Sequence, residues 1–189
     1  TYMPGSGRII SNGGDNPDGG QMEFITISTL GNGVDFGDSA GGNQRAYCGA
    51  TANATRAMFM GGDTPSKTDL VDAVDFASRG NSFDFGNLTA TAGTSQGCAS
   101  TTRAINAGGV SGSYSNIIEY AAFATAGNFT DFGDLTAATG GPAGASSPTR
   151  GLFMGGYTPS ADNKIDYITI SSTGNATDFG DLTTTIVYA

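Results

Sequence analysis

Four arginines recur along this chain at near-constant spacing, and carboxylates recur with them. Arg8, Arg56, Arg103 and Arg150 lie 48, 47 and 47 residues apart, each followed by a few mostly apolar residues and a Gly-Gly pair. One acid per interval sits inside an apolar run, at Glu23, Asp72, Glu119 and Asp166. A second precedes a phenylalanine, at Asp35, Asp84, Asp131 and Asp178. Two chemistries fit such a set. The guanidinium groups could ring an anion, or each could clamp a carboxylate of its own or the neighbouring unit through charge-assisted hydrogen bonds. Recurrence in every interval favours the clamp, because a feature present in all units serves what all units need. The expected clamp is Arg8, Arg56, Arg103 and Arg150 with Asp35, Asp84, Asp131 and Asp178.

The tetrapeptide Asp-Phe-Gly-Asp at 35–38, 131–134 and 178–181, with Asp-Phe-Gly-Asn at 84–87, offers oxygen ligands of the kind calcium takes. Asp and Gly flanking an aromatic residue also shape a turn or bulge beside a strand, and that reading is preferred. No metal and no cofactor is expected. The rest of a kinase signature, in which Asp-Phe-Gly also occurs, is missing. Asn53, Asn87, Asn128 and Asn175 each open an Asn-x-Thr triplet, which turn composition produces without any glycosylation.

The chain has no histidine. That removes the commonest general base and metal ligand, and with it every Ser-His-Asp or Cys-His arrangement. Cys48 and Cys98 are too few for a cysteine zinc site and are expected to be free thiols. An enzyme would have to work with carboxylates alone, as a glycosidase does with two acids about 5–10 Å apart. No non-repeated pair of acids stands out, so no catalytic residue is assigned and the chain is not expected to be an enzyme.

The elements that must carry these residues are short strands. In the last unit, 150–156 is an apolar run stopped by Gly-Gly, 157–163 is turn-like, 164–170 is rich in β-branched and aromatic residues, and 176–182 is a short aromatic strand. A small-residue stretch such as 45–51 or 96–101 precedes each arginine. The expectation is about four strands per unit. The strand copies 22–27, 71–76, 118–123 and 165–170 carry apolar residues on both faces beside their recurrent acid, so their sheets must be covered on both sides. Four small antiparallel sheets stacked face to face around an axis satisfy that.

The 189 residues suit one domain, with repeats at about 1–43, 44–90, 91–137 and 138–189. Eight basic residues against seventeen acidic ones, net charge −9, give no footprint for nucleic acid. No apolar run approaches the roughly 18 residues of a membrane helix. The chain opens on Thr1 within the pattern, as expected of a processed product or an excised fragment.

The unit resembles the kelch repeat. Gly156 is followed eleven residues later by Tyr167, and Gly109 by Tyr120, as the Gly-Gly and Tyr of kelch blades are spaced. Phe24 follows Gly14 by ten, Ala73 replaces the aromatic in the second unit, and Phe36, Phe85, Phe132 and Phe179 stand where kelch blades carry Trp. The resemblance implies an all-β, kelch-like β-propeller of four blades, each of about four antiparallel strands. The two ends are in phase, so 183–189 and 1–7 are expected to share one strand position, completing the first blade and closing the ring. A cut from a longer array, or two chains forming one eight-bladed ring, are the alternatives.

Kelch proteins usually bind on the face formed by the loops after Gly-Gly and by those joining successive blades. Here these loops differ between units, and the resemblance implies candidate ligand contacts at Asp15, Asp18, Asp63, Lys67, Tyr114, Tyr157 and Asn163. The wording of the unit, as in 174–182 and 146–156, is also similar to repeats of marine bacteriophage virion and tail-fibre proteins, cyanophages especially. That similarity implies a non-catalytic structural or binding module of a virion, extracellular, contacting a host-surface glycan or a neighbouring virion protein. The acidic balance fits such a surface. A carboxylate-pair glycosidase or a kelch-type peptide-binding adaptor is the alternative. Oligomers are compatible with either.

Overall fold

The structure, a computed structural model, describes residues 7–14, 20–40, 45–63 and 65–187. It is all β, in four antiparallel sheets that follow one another along the chain. The first holds β1 (Arg8–Asn12), β2 (Gln21–Thr26) and β3 (Val34–Asp38). The second holds β4 (Gly49–Ala52), β5 (Arg56–Met60), β6 (Leu70–Asp75) and β7 (Phe83–Asn87). The third holds β8 (Gln96–Ala99), β9 (Arg103–Ala107), β11 (Ser113–Ala122) and β12 (Thr130–Thr139), with the two-residue β10 (Val110–Ser111) added beside β11. The fourth holds β13 (Ala143–Ser146), β14 (Arg150–Met154), β15 (Asp162–Thr169) and β16 (Thr177–Ile186). The expected runs of the second, third and fourth units become strands, and the expected four per unit are present in sheets 2, 3 and 4.

Local chemistry explains the strand boundaries. Before Arg56, Arg103 and Arg150 an oxygen-bearing side chain closes the hairpin turn. Asn53 Oδ1 accepts the N–H of Thr55 and of Arg56, and Ser100 Oγ and Ser147 Oγ accept the equivalent pairs. Such side-chain turns are what Asn and Ser do best. The Asn-Ala-Thr triplet at 53–55 is therefore turn chemistry. β1, β5, β9 and β14 each end at a Gly-Gly pair because both residues sit at positive φ, +60° and +100° at Gly61 and Gly62. The glycine of Asp-Phe-Gly lies opposite a shift of register in the neighbouring strand, as between Val71 and Asp72, so the tetrapeptide is a β-bulge as expected.

The cores lie between sheets. Met22, Phe24 and Phe36 of sheet 1 pack on Ala57, Phe59, Val74 and Phe76 of sheet 2. Met58, Met60, Val71 and Phe85 of sheet 2 pack on Ala104, Ala121 and Phe123 of sheet 3. Ile105, Ile118 and Phe132 of sheet 3 pack on Phe153, Ile168 and Ile170 of sheet 4. Sheets 2 and 3 are thus buried on both faces. This is why β6 and β11 carry apolar residues on both sides, and why a two-layer sandwich is excluded. The inner strands β4, β8 and β13 are neighbours, so the stack is propeller-like.

The expected closure differs from what is seen. Residues 183–186 do not start a strand of the first sheet: they prolong β16, where Ile186 pairs with Asp162 of β15. They occupy the place that 136–139 hold in β12. Sheet 1 has three described strands, and residues 1–6, the other half of the expected closing strand, lie outside the described residues. The reason is local: β15 of their own sheet already supplies an antiparallel partner for this end of β16.

Candidate functional site

The repeated arginines do not form the expected clamp. Their guanidinium groups lie on aromatic rings, Arg8 on Phe24 at 4.9 Å, Arg56 on Phe83 at 5.2 Å, Arg103 on Tyr120 at 4.7 Å and Arg150 on Tyr167 at 4.8 Å. Phe24, Tyr120 and Tyr167 in turn meet the edge of Phe36, Phe132 and Phe179. Three of the four also reach the next sheet, where Arg8, Arg56 and Arg103 donate to the carbonyls of Phe76, Phe123 and Ile170. Asp35, Asp84, Asp131 and Asp178 are exposed and take part in no ion pair among the described residues. Arg56 pairs instead with Asp75, at 2.8 Å. The planar guanidinium can stack and still donate in its plane, so a carbonyl one sheet away is a better partner than a solvated carboxylate at a bulge.

The other recurrent acids tie sheets together through the backbone. Glu119 accepts the N–H and hydroxyl of Thr89, 2.7 and 2.9 Å, and the amide of Asn106 at 3.0 Å. Asp166 does the same for Thr136, accepting its N–H at 2.8 Å. Both threonines lie on the preceding sheet or on the link leading from it. Burial pushes the Glu119 carboxyl above its usual range, against the pull of the Thr89 and Asn106 donors. Asp72 has a different partner, which the repeat pattern does not announce. Arg45, 2% exposed, donates to Asp72 at 2.7 Å and to the carbonyls of Gly61 and Leu70. Burial raises the Asp72 carboxyl, with Arg45 pulling the other way. The signal was available: Arg45 is a lone charge where the later units have Ala92 and Thr139.

The non-repeating loops share one end of the sheets. Isolated bridges Ala46–Asp63, Gly93–Val110 and Gly140–Tyr157 set each post-Gly-Gly residue against the link arriving from the sheet before. Of the expected contacts, Asp15 and Asp18 lie outside the described residues. Lys67 Nζ is 3.7 Å from Asp63 Oδ1, a pair one turn wide. Asn163 is turned inward, its Nδ2 donating to the carbonyl of Leu182. Tyr114 of sheet 3 and Tyr157 of sheet 4 come together across the junction, ring centroids 5.6 Å apart and tilted by 52°.

Beside Tyr114 a cleft of about 330 Å³ opens between sheets 2 and 3. Thr91, Ser111, Ser113 and Asn116 line it, with Glu119 at its base. The hydroxyls of Thr91 and Ser111 share a hydrogen bond of 2.7 Å. The arrangement offers a partly exposed aromatic face and a row of hydroxyl and amide groups. It can bind a polyhydroxylated or peptide ligand by stacking and hydrogen bonding. The thiols contribute no chemistry here. Cys48 and Cys98 are both free, as expected, and burial pushes Cys98 up to about 12.

No protein-family model matches the sequence, and no curated protein matches it. Among solved structures, that of YjhT superposes with a TM-score of 0.76, over 94% of this chain and 63% of that one, at 9% sequence identity. The chain spans somewhat less than two thirds of that structure's length. At such identity the likeness is one of fold, and it agrees with the propeller-like stack of four small antiparallel sheets.

Proposed function

We propose that this chain is a run of four kelch-type propeller blades that serves a phage virion as a non-catalytic recognition module, binding a host-surface glycan at the loop rim. The observation that carries the reading is the cleft beside Tyr114, with Tyr157 across the junction and Thr91, Ser111, Ser113 and Asn116 along its wall. Sugars present apolar ring faces and hydroxyl edges, and aromatic plus hydroxyl or amide groups on a rigid frame match both. Rigidity comes from the three inter-sheet cores. The virion assignment rests on the resemblance of the repeat wording to tail-fibre repeats. The lack of histidine removes the commonest general base from the rim.

A glycan array carrying marine bacterial surface polysaccharides tests this, followed by titration of any hit. Tyr114→Ala and Tyr157→Ala should each weaken binding by about tenfold or more while leaving the unfolding midpoint within a few degrees, the loss of one stacking contact. Binding that survives both substitutions places the ligand elsewhere. A blank array, with the module instead bound to a purified virion protein, replaces the glycan with a protein neighbour.

A further inference from the structure

Every junction between consecutive sheets is built from one repeated set of hydrogen bonds, and the chain carries the two complementary halves of that set at its ends. At each junction a turn glycine of the later sheet donates its N–H to the bulge phenylalanine carbonyl of the earlier one. The pairs are Gly80 to Phe36, Gly127 to Phe85 and Gly174 to Phe132, at 2.7–2.8 Å. Two residues on, Ser82, Phe129 and Ala176 donate to the carbonyls of Asp38, Asn87 and Asp134, all at 2.8 Å. In return the N–H groups of Asp38, Asn87 and Asp134 donate to Asn81, Asn128 and Asn175 Oδ1. The arginine-to-carbonyl bond completes the set.

A fourth junction in the same register would use Arg150, Phe179 and Asp181 on the trailing face of sheet 4. Against them would stand Ile27, Gly31, Asn32 and Gly33 on the leading face of sheet 1. Among the described residues these bonds are not made within the chain. The apolar surface says the same. Phe179 is 52% exposed, whereas its counterparts Phe36, Phe85 and Phe132 are 2–3% exposed. Ile25 and Ile27 are 41% and 64% exposed, whereas Val74/Phe76, Ala121/Phe123 and Ile168/Ile170 are all at or below 7%. Glu23 is exposed, although Glu119 and Asp166 are held by Thr89 and Thr136. Thr183, the next threonine in that series, is exposed at the opposite end.

We propose that a second copy of this chain covers the trailing face of sheet 4 with the leading face of its own sheet 1, in the register that joins the sheets within one chain. The argument is continuity with an interface the chain already makes three times, with both complementary halves present and exposed. Such a contact is head-to-tail, because each copy offers a different face, and it closes only as a ring. It stands independently of any ligand at the loop rim.

The experiment measures the mass of the 189-residue protein in solution across a wide concentration range, by light scattering and sedimentation. The wild type should exceed one chain mass of 19.0 kDa by an integral factor. Ile27→Asp spoils only the leading face and Phe179→Asp only the trailing face, and both positions are exposed, so both variants should fold and run as single chains. Mixing the two variants leaves one intact face of each kind and should give a complex of two copies and no larger. A wild type that stays a single chain at all concentrations overturns the proposal, as does a mixture that fails to associate. The pair Glu23→Cys with Thr183→Cys separates the remaining case. A disulfide between copies supports the proposal, and a disulfide within one chain shows self-closure and overturns it.

Discussion

Replacing the bulge glycine of sheet 3 with alanine should cost more than the same replacement in sheet 4, and the difference isolates the contact between sheets. Gly133 and Gly180 occupy the same place in the same tetrapeptide, at φ +147° and +137°. Alanine at such φ carries about 1–3 kcal/mol of backbone strain at either site. Their surroundings differ. A Cβ on Gly133 would lie 2.4 Å from the carbonyl oxygen of Gly174 and 2.5 Å from its carbon, which are backbone atoms of the next sheet's turn. A Cβ on Gly180 meets nothing within 4 Å. Backbone on backbone cannot be relieved by a rotamer change, so Gly133→Ala should lose a further ~1–3 kcal/mol by overpacking. In a domain of this size that further loss corresponds to roughly 2–12 °C in unfolding midpoint. Urea unfolding followed by circular dichroism, with both substitutions made in the Ile27→Asp background so that only single chains are compared, gives the two losses. Equal losses would refute the claim that close approach to the next sheet is what holds glycine at the bulge. Outside that background, a second copy seated on sheet 4 should bring Gly180→Ala toward the cost of Gly133→Ala.

Two further outcomes follow from the buried charges. Arg45→Met leaves Asp72 buried without its guanidinium and should lower stability by about 3–5 kcal/mol in urea unfolding, whereas Arg45→Met with Asp72→Leu should recover most of that loss. For Glu119, burial raises the folded carboxyl above its ordinary value of 4.5, so the folded state holds the proton more tightly. Its contribution to stability is fully present below that value and is lost as pH rises toward the folded one. Glu119→Gln should therefore gain on the wild type as pH increases through that window, by about 1.4 kcal/mol for each pH unit separating the two values. A stability difference independent of pH would contradict the assignment.

The sequence was most readable where one residue type has one physical use. Positive φ explains Gly61-Gly62 and the bulge glycines, and two-sided apolarity in 71–76 and 118–123 already required cover on both faces. It was least readable where partners come from another sheet. Net charge pairing suggested arginine on carboxylate, but the guanidinium of Arg103 rests on Tyr120 and reaches Ile170, 67 residues away. Arg45 escaped for the opposite reason: a search for repeats passes over a charge that occurs once. The place of 183–186 escaped because the phase count did not register that these residues repeat the β12 extension at 136–139. The rim was half legible, since variable loop composition marked Tyr114 and Tyr157 but not that their rings would meet across a junction.

The division between repeated and unrepeated residues also constrains where recognition can be encoded. Arg8, Arg56 and Arg103 are occupied by a ring and a carbonyl of the next sheet, and Glu119 and Asp166 by the threonines of the sheet before. A side chain committed to stacking cannot change without loosening a junction, because stability in a stacked array is largely a sum of nearest-neighbour terms. In the loops after Gly-Gly the bonds to the preceding link are made by backbone, as between Gly93 and Val110 and between Gly140 and Tyr157. One loop holds an Asp63–Lys67 pair and the next two hold facing tyrosines. Side chains there can vary without removing those backbone bonds. The two uncovered faces cannot vary in this way: they retain the apolar residues and donor–acceptor pattern of a buried junction, which is the pattern expected of surfaces that another sheet of the same kind covers.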